Sequence, residues 1–232
     1  MNEKTKKKVL IIEPHSDDGV IAIGGFLEKY REEYDYYFCL LTASDLNMHH
    51  VGKVSRQQRL DEYQSYVDYY DGKWFRGTQE DPLPLDQEAC LDTFPRKKLV
   101  KSIEQSIQEC EPNIIMVQGP SFHHDHTAVY EATIAATRPT ARFCPDTIYV
   151  VENPTYVHAI DPSSTFVPDT YVSLTEEQLQ LKLDCFRNCF PSQIREESNC
   201  LSEEGIRSWA RYRGLEARTE FAEALNTYLH II

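Results

Sequence analysis

Two short segments of this chain concentrate groups able to hold a cation and move a proton. One is Glu13-Pro14-His15-Ser16-Asp17-Asp18, and the other is Ser121-Phe122-His123-His124-Asp125-His126. Imidazole nitrogen and carboxylate oxygen are common zinc donors, and a catalytic zinc takes three protein ligands and keeps a fourth position open. His15, Asp18 and His126 can supply those three. Asp17 is then a carboxylate left beside the ion, where it can take a proton from water as a general base. His123 is also spare, and as an imidazolium it can face negative charge developing on a carbonyl oxygen under attack. Asp125 suits a place behind a ligating histidine, orienting its ring. Taken singly, each group has a plainer reading: His15 as a loop residue, and Asp17-Asp18 as a helix cap. Their joint occurrence after two apolar runs favours a metal site.

That chemistry requires two distant turns to meet, so the elements around them matter. Val9-Leu10-Ile11-Ile12 is a short apolar run suited to a strand covered on both faces, and it leads straight into the first segment. A helical stretch to about Tyr34 follows. Gly24 and Gly25 lie inside it, which implies close backbone packing or a bend. Tyr36–Leu41 reads as a second buried strand. Leu60, Tyr63, Val67 and Tyr70 have helical spacing, and Gly72 supplies the stop. Trp74-Phe75 starts a short strand, and 81–84 is a loop. Leu99, Ile103, Ile107 and Cys110 mark a helix, and 114–117 a strand that leads to the second segment. A helix over about 126–137 and a strand over 147–151 come next. Thr175 and Gln178 form a capping box that opens another helix. Two last helices are expected around Gly214, the second carrying Phe221, Leu225 and Tyr228. Such alternation implies one α/β domain over 1–232, Rossmann-like, with a mostly parallel sheet and helices on both faces. Residues 1–8 read as a flexible basic terminus. Open sheets of this kind place ligand crevices at the carboxyl ends of their strands, where both segments fall.

Composition narrows the partners. The 232 residues carry 37 Asp and Glu against 24 Lys and Arg, a formal net charge of −13. So acidic a chain repels phosphate backbones and anionic lipid, which argues against nucleic acid and membrane surfaces. No apolar run approaches the roughly 20 residues of a membrane span. Seven cysteines without a C-x-x-C pair suit free thiols in a reducing cytoplasm. Cys185 and Cys189 read as core thiols beside Phe186 and Phe190, His49-His50 as loop, and His158 and His230 as surface. G-x-G-x-x-G is missing after the first strand, which counts against NAD or FAD.

The residues now in view resemble a known family, the PIG-L/LmbE-like metal-dependent N-deacetylases. The family's P-H-P-D-D-E-V-L-G-x-G-G-T-L is similar to Pro14-His15-Ser16-Asp17-Asp18-Gly19-Val20-Ile21-Ala22-Ile23-Gly24-Gly25-Phe26-Leu27. Its H-P-D-H-R-A resembles His123-His124-Asp125-His126-Thr127-Ala128. Leu41-Thr42, then Arg59 to Glu62 and Gly72, resemble its L-T strand end and R-x-x-E…G helix. Pro191-Ser192-Gln193 and Arg213-Gly214…Ala222-Glu223 resemble its H-x-S-Q and R-G…A-E segments. The resemblance implies a zinc held by His15, Asp18 and His126, with Asp17 as base and His123 stabilising the oxyanion. It also implies substrate contact by Arg59 and sugar-hydroxyl binding by Asp81. Five departures stand out. Ser16 and His124 replace prolines, Gly19 replaces a glutamate, Thr127 an arginine, and Phe190 the histidine of H-x-S-Q.

The expected function is a metal-dependent hydrolase removing an N-acyl group, acetyl above all, from an amino sugar or sugar conjugate. Zinc is the expected ion, and ferrous iron accepts the same donors. One rival is a Rossmann-like domain that binds a nucleotide sugar or metal without turnover. A second is a phosphoester hydrolase with a single metal. Oligomeric state is left open by the sequence.

Overall fold

The apolar runs become strands of one seven-stranded sheet in this computed structural model, which describes residues 6–156, 166–196 and 198–232. His158 and residues 1–5 of the basic terminus lie outside the described residues, whereas Lys7 and Lys8, expected in a flexible terminus, open the first strand and pair with the second. In chain order the strands are β1 (Lys7–Glu13), β2 (Tyr34–Leu40), β3 (Leu46–Met48), β4 (Gly52–Val54), β5 (Lys73–Trp74), β6 (Ile114–Gln118), β7 (Thr147–Val151), β8 (Thr170–Leu174) and β9 (Phe221–His230). The α-helices are α1 (Asp18–Lys29), α2 (Arg56–Tyr69), α3 (Arg96–Cys110), α4 (His124–Ala136), α5 (Glu176–Cys189) and α6 (Glu203–Ala217).

The sheet runs β5-β2-β1-β6-β7-β9-β8. Its first five strands are parallel, and β9 pairs antiparallel with both β7 and β8. Side chains alternate between faces along a strand, and β1 divides its apolar run accordingly. Val9 and Ile11 join the core under α1, α2, α5 and α6, while Leu10 and Ile12 pack under α3 and α4. Both faces are therefore covered, as a mostly parallel sheet demands. The chain winds outward from β1 in one direction through β2 and β5, then restarts on its other side with β6. The reversal falls between β1 and β6, and a crevice opens there beyond the strand carboxyl ends.

Three departures from the sequence expectation follow from tertiary context. The last segment is not a helix but β9, a ten-residue strand with Phe221 to Leu225 buried in series. Its 221, 225, 228 spacing suits a helix, but pairing with β7 and β8 decides the outcome. Strand β8 adds a further sheet edge. The polar stretch around His49-His50 is the turn of a two-stranded β3–β4 hairpin.

The Gly24-Gly25 pair marks both a bend and a close approach. Ile23 leaves helical geometry at φ −134°, ψ 16°, which breaks α1. The freed backbone is satisfied from β9 and α5. Glu223 accepts the N–H groups of Gly25 and Phe26 at 2.7 Å each, and Lys182 donates to Ile21 O at 2.7 Å. Lys182 and Glu223 also pair at 2.6 Å, both buried. A Cβ on Gly25 would lie 2.3 Å from Leu174 Cδ1, so no larger residue fits against β8.

Candidate functional site

β1 ends at Glu13, and the turn that follows starts α1 with Asp17 at the N-cap and Asp18 as its first residue. β6 ends at Gln118, and its loop starts α4 with His123 at the N-cap. Because β1 and β6 are hydrogen-bonded neighbours, the two turns face each other across the switch point. His15 Nδ1 lies 3.3 Å from Asp18 Oδ2, His126 Nε2 lies 3.3 Å from Asp18 Oδ1, and His15 Nδ1 and His126 Nε2 are 3.3 Å apart. Ligand atoms about 2.0–2.1 Å from a tetrahedral zinc stand roughly 3.4 Å from one another. Asp18 meets the two histidines with different oxygens, and the three groups could hold one such ion. Ring nitrogens of His15, His123 and His126 also fall within 4.8 Å of one another, so His123 qualifies as a ligand by distance.

The groups behind this cluster fix its orientation. Asp125 accepts from His15 Nε2 at 3.0 Å and from the backbone N–H groups of Ala89 and Leu91 at 2.7 and 2.8 Å. With its Nε2 proton committed to Asp125, a neutral His15 turns a bare Nδ1 toward the cluster. Asn153 donates to Asp18 Oδ1 at 2.8 Å, and Gln118 holds the Asp18 carbonyl at 2.9 Å. Ala89 sits at φ +61°, the left-handed region that a non-glycine residue occupies at a cost of about 1–2 kcal/mol. The two bonds to Asp125 from its own N–H and that of Leu91 hold the loop there.

Electrostatics separate the roles. Burial disfavours the Asp18 carboxylate, but His126 and His15 outweigh it and hold Asp18 well below the usual range. Burial likewise opposes a charged His15, yet Asp125 and Asp18 raise it to about 10. Asp17 moves the other way, raised to about 6 by burial and then by Asp18. The Asp17 side chain makes no cap bond to α1, so its acceptor capacity is not used by the helix. His123 is pushed down to about 4 by burial, then by His15 and His126. Burial and these neighbours thus favour its neutral form. Its Nδ1 accepts the Asp125 N–H at 3.3 Å, which leaves the ring proton on Nε2.

His15, Asp17, Asp18, Arg59 and His123 line a cavity of about 400 Å³. That volume lies within the roughly 300–1,000 Å³ of small-molecule sites. Arg59 is buried in its wall, paired with Glu88 and 3.4 Å from Ser16 Oγ. Asp81 does not join the others. It pairs with Lys101 of α3 at 2.6 Å, away from the cavity lining, and Glu88 supplies the carboxylate beside Arg59 instead. Leu46 and Met48 of the hairpin and Asn153, Gln193 and Arg195 complete much of the wall.

Asn153 and Gln118 were recognisable in principle, since each is a polar residue at or just after the carboxyl end of a buried strand. Glu88 and Arg195 are single polar residues in irregular chain and carry no such signal. Of the departures, Gly19 has a clear cause: a Cβ there would lie 2.1 Å from Glu13 Oε1, and the Gly19 N–H donates to that oxygen at 2.8 Å. Glu13 also accepts from Tyr63 OH, so a carboxylate reached from β1 occupies the space beside position 19. Thr127 Oγ1 bonds Ser121 O at 3.3 Å and ties the second loop together. Phe190 is fully buried against Tyr66, outside the cavity lining.

Comparison with known proteins gives a consistent picture. Residues 10–137 match the PIG-L family model, described as GlcNAc-PI de-N-acetylase. The chain is 27% identical to a diacetylchitobiose deacetylase of Thermococcus kodakarensis over 97% of its own length and 86% of that protein. Among solved structures, the conserved protein TT1542 of Thermus thermophilus superposes with a TM-score of 0.71 at 18% identity, covering 97% of this chain and 96% of the other. The 4-carboxy-2-hydroxymuconate hydratase GalB of Pseudomonas putida KT2440 superposes with a TM-score of 0.67 at 17% identity, covering 97% and 98%. A hydratase on the same fold means that the fold alone does not specify the reaction.

Proposed function

The chain belongs to the PIG-L family of de-N-acetylases, and from that membership and the site geometry we propose that it hydrolyses an N-acyl group, acetyl above all, from an amino sugar or sugar conjugate. The observation that carries this reading is the meeting of three donor side chains, each pair with atoms 3.3 Å apart, beside an Asp17 carboxylate that makes no cap bond. Similarity to a deacetylase of an N-acetylated sugar supports the substrate class.

His15, Asp18 and His126 would hold a divalent cation. Zinc suits two nitrogens and a carboxylate, with ferrous iron the other candidate. When bound, the ion supplies Lewis-acid polarisation of the amide carbonyl and acidifies a water. Asp17 takes the proton from that water and returns it to the departing amine nitrogen. His123 donates its Nε2–H to the carbonyl oxygen as charge gathers there, a task a neutral imidazole performs without its own charge needing burial. Arg59, braced by Glu88, lines the cavity as a substrate contact. We place the whole chain, 1–232, in this role as one domain. Its seven cysteines are free among the described residues, which supports a reducing cytoplasm. Among those residues no helix is long and apolar enough to cross a membrane.

Asp17→Asn tests the assignment. Amine release from N-acetylglucosamine conjugates should fall by roughly 10²–10⁴-fold, the usual worth of a positioned base, with bound metal unchanged. An unchanged rate removes Asp17 from the reaction. Metal bound without any turnover in the unmodified enzyme would favour a binding domain instead.

A further inference from the structure

Helix α1 is capped from outside its N-cap position. An N-cap side chain ordinarily accepts the N–H of the second or third helical residue, with its own backbone extended. Ser55, Thr175 and Ser202 do so, at ψ values of 154°, 162° and 162°. Asp17 stands at the N-cap of α1 with φ −102° and ψ −8°, and its side chain makes no cap bond. The N–H of Gly19, the second residue of α1, is buried and donates instead to Glu13 Oε1 at 2.8 Å. Glu13 lies upstream at the end of β1 and is 1% exposed. Its other oxygen accepts from the hydroxyl of the buried Tyr63 on α2, so the carboxylate is held from two helices. Its approach requires a glycine, since a Cβ on Gly19 would lie 2.1 Å from Oε1. Asp17 lines the cavity and Glu13 does not.

A buried N–H at a helix N-terminus needs an acceptor, and one left bare costs free energy. Without Glu13, the Asp17 carboxylate, already at the N-cap, is the group whose place in the chain suits that N–H. An aspartate drawn onto α1 would leave the cavity. We propose that Glu13 is a positioning residue for the reaction: it takes over the capping bond of α1 and so leaves Asp17 facing the cavity. This deepens the assignment of Asp17 as base and rests on it for the effect on turnover. The three carboxylates of segment 13–18 then have three tasks. Glu13 caps α1, Asp17 faces the cavity, and Asp18 meets the two histidines.

Glu13→Met tests this, with Glu13→Gln as the conservative variant, because glutamine keeps an oxygen for the Gly19 N–H. A crystal structure of Glu13→Met should place an Asp17 carboxylate oxygen within about 3.2 Å of the Gly19 or Val20 nitrogen. The kcat of amine release from N-acetylglucosamine conjugates should fall at least about tenfold, part of the roughly 10²–10⁴-fold that a positioned base supplies. KM and bound metal per chain should hold within about twofold, because the lost interaction belongs to the transition state. Glu13→Gln should recover most of the loss. With Asp17→Asn already present, Glu13→Met should lower kcat no further, whereas a merely structural Glu13 would act alike in both backgrounds. Should the bare Tyr63 hydroxyl keep Glu13→Met from folding, Glu13→Met/Tyr63→Phe removes both ends of that bond and is read in the same way. An Asp17 side chain that stays in place, loss of the metal together with kcat, or an equal fall in the Asp17→Asn background overturns the proposal. If Asp17→Asn turns over as fast as the unmodified enzyme while Asp17 still swings onto α1 in Glu13→Met, Asp17 leaves the reaction and the capping role of Glu13 stands.

Discussion

An aspartate at a helix N-cap ordinarily spends its carboxylate on the first backbone N–H groups. Asp17 occupies that position in α1 and makes no such bond, whereas Ser55, Thr175 and Ser202 cap their helices in the usual way. The carboxylate kept back from α1 is the one beside the donor cluster. Asp125 works in the opposite sense: all of its bonds point to His15 and to the 89–91 backbone, so it orients without taking part. Asp125→Asn should therefore weaken metal binding by about 10–100-fold while the protein stays folded. Competition with a chelator of known affinity measures this, and an unchanged affinity would remove Asp125 from the site's support. These residues were legible in the sequence because each motif is contiguous and sits directly after a buried strand. Asp81 was not placed by the same logic. It lies in a loop whose path no periodicity fixes, and it pairs with Lys101 outside the cavity lining, which includes Glu88.

The elements position the site through one connection that local sequence does not show. Helix α1 carries Asp18 at its start and breaks at Ile23, and the break is satisfied by Glu223 of β9 and Lys182 of α5. Glu223 was read as part of a terminal helix because Phe221, Leu225 and Tyr228 recur at helical intervals. Its buried carboxylate, aimed at the Gly25 and Phe26 N–H groups, exists only once the segment is a strand between β7 and β8. Removing one partner of a buried pair leaves the other charge uncompensated, at about 3–5 kcal/mol. Lys182→Met should lower stability by that amount in urea unfolding. A loss below about 1 kcal/mol would show that Glu223 is satisfied by the α1 backbone alone. The strands of the first half were legible because short apolar runs bounded by polar turns leave little choice. The β3–β4 hairpin was not, since Leu46–Met48 and Gly52–Val54 are three residues each, too short for the Leu46/Met48 alternation to mark a strand.

At the scale of the molecule, stability and chemistry are carried by different parts. Two apolar layers flank the sheet, and the donor cluster lies beyond the strand ends. Chelation should therefore abolish amine release while cooperative thermal unfolding persists, with Tm reduced only by the binding energy of the lost ion. Global unfolding on chelation would show instead that the ion holds the two turns together. The doubly wound order, legible from strand and helix alternation, brings those turns together at the β1–β6 switch. The shape of the rim depends on the hairpin and the 192–195 turn, which tertiary contacts place. The claim on which the account turns is that His15, Asp18 and His126 share one ion while His123 does not ligate it. Elemental analysis of the purified protein and of Asp18→Ala, His126→Ala and His123→Ala tests this directly. One ion per chain in the unmodified protein and in His123→Ala, with loss in the other two, is the predicted result. Retention in Asp18→Ala together with loss in His123→Ala would contradict it.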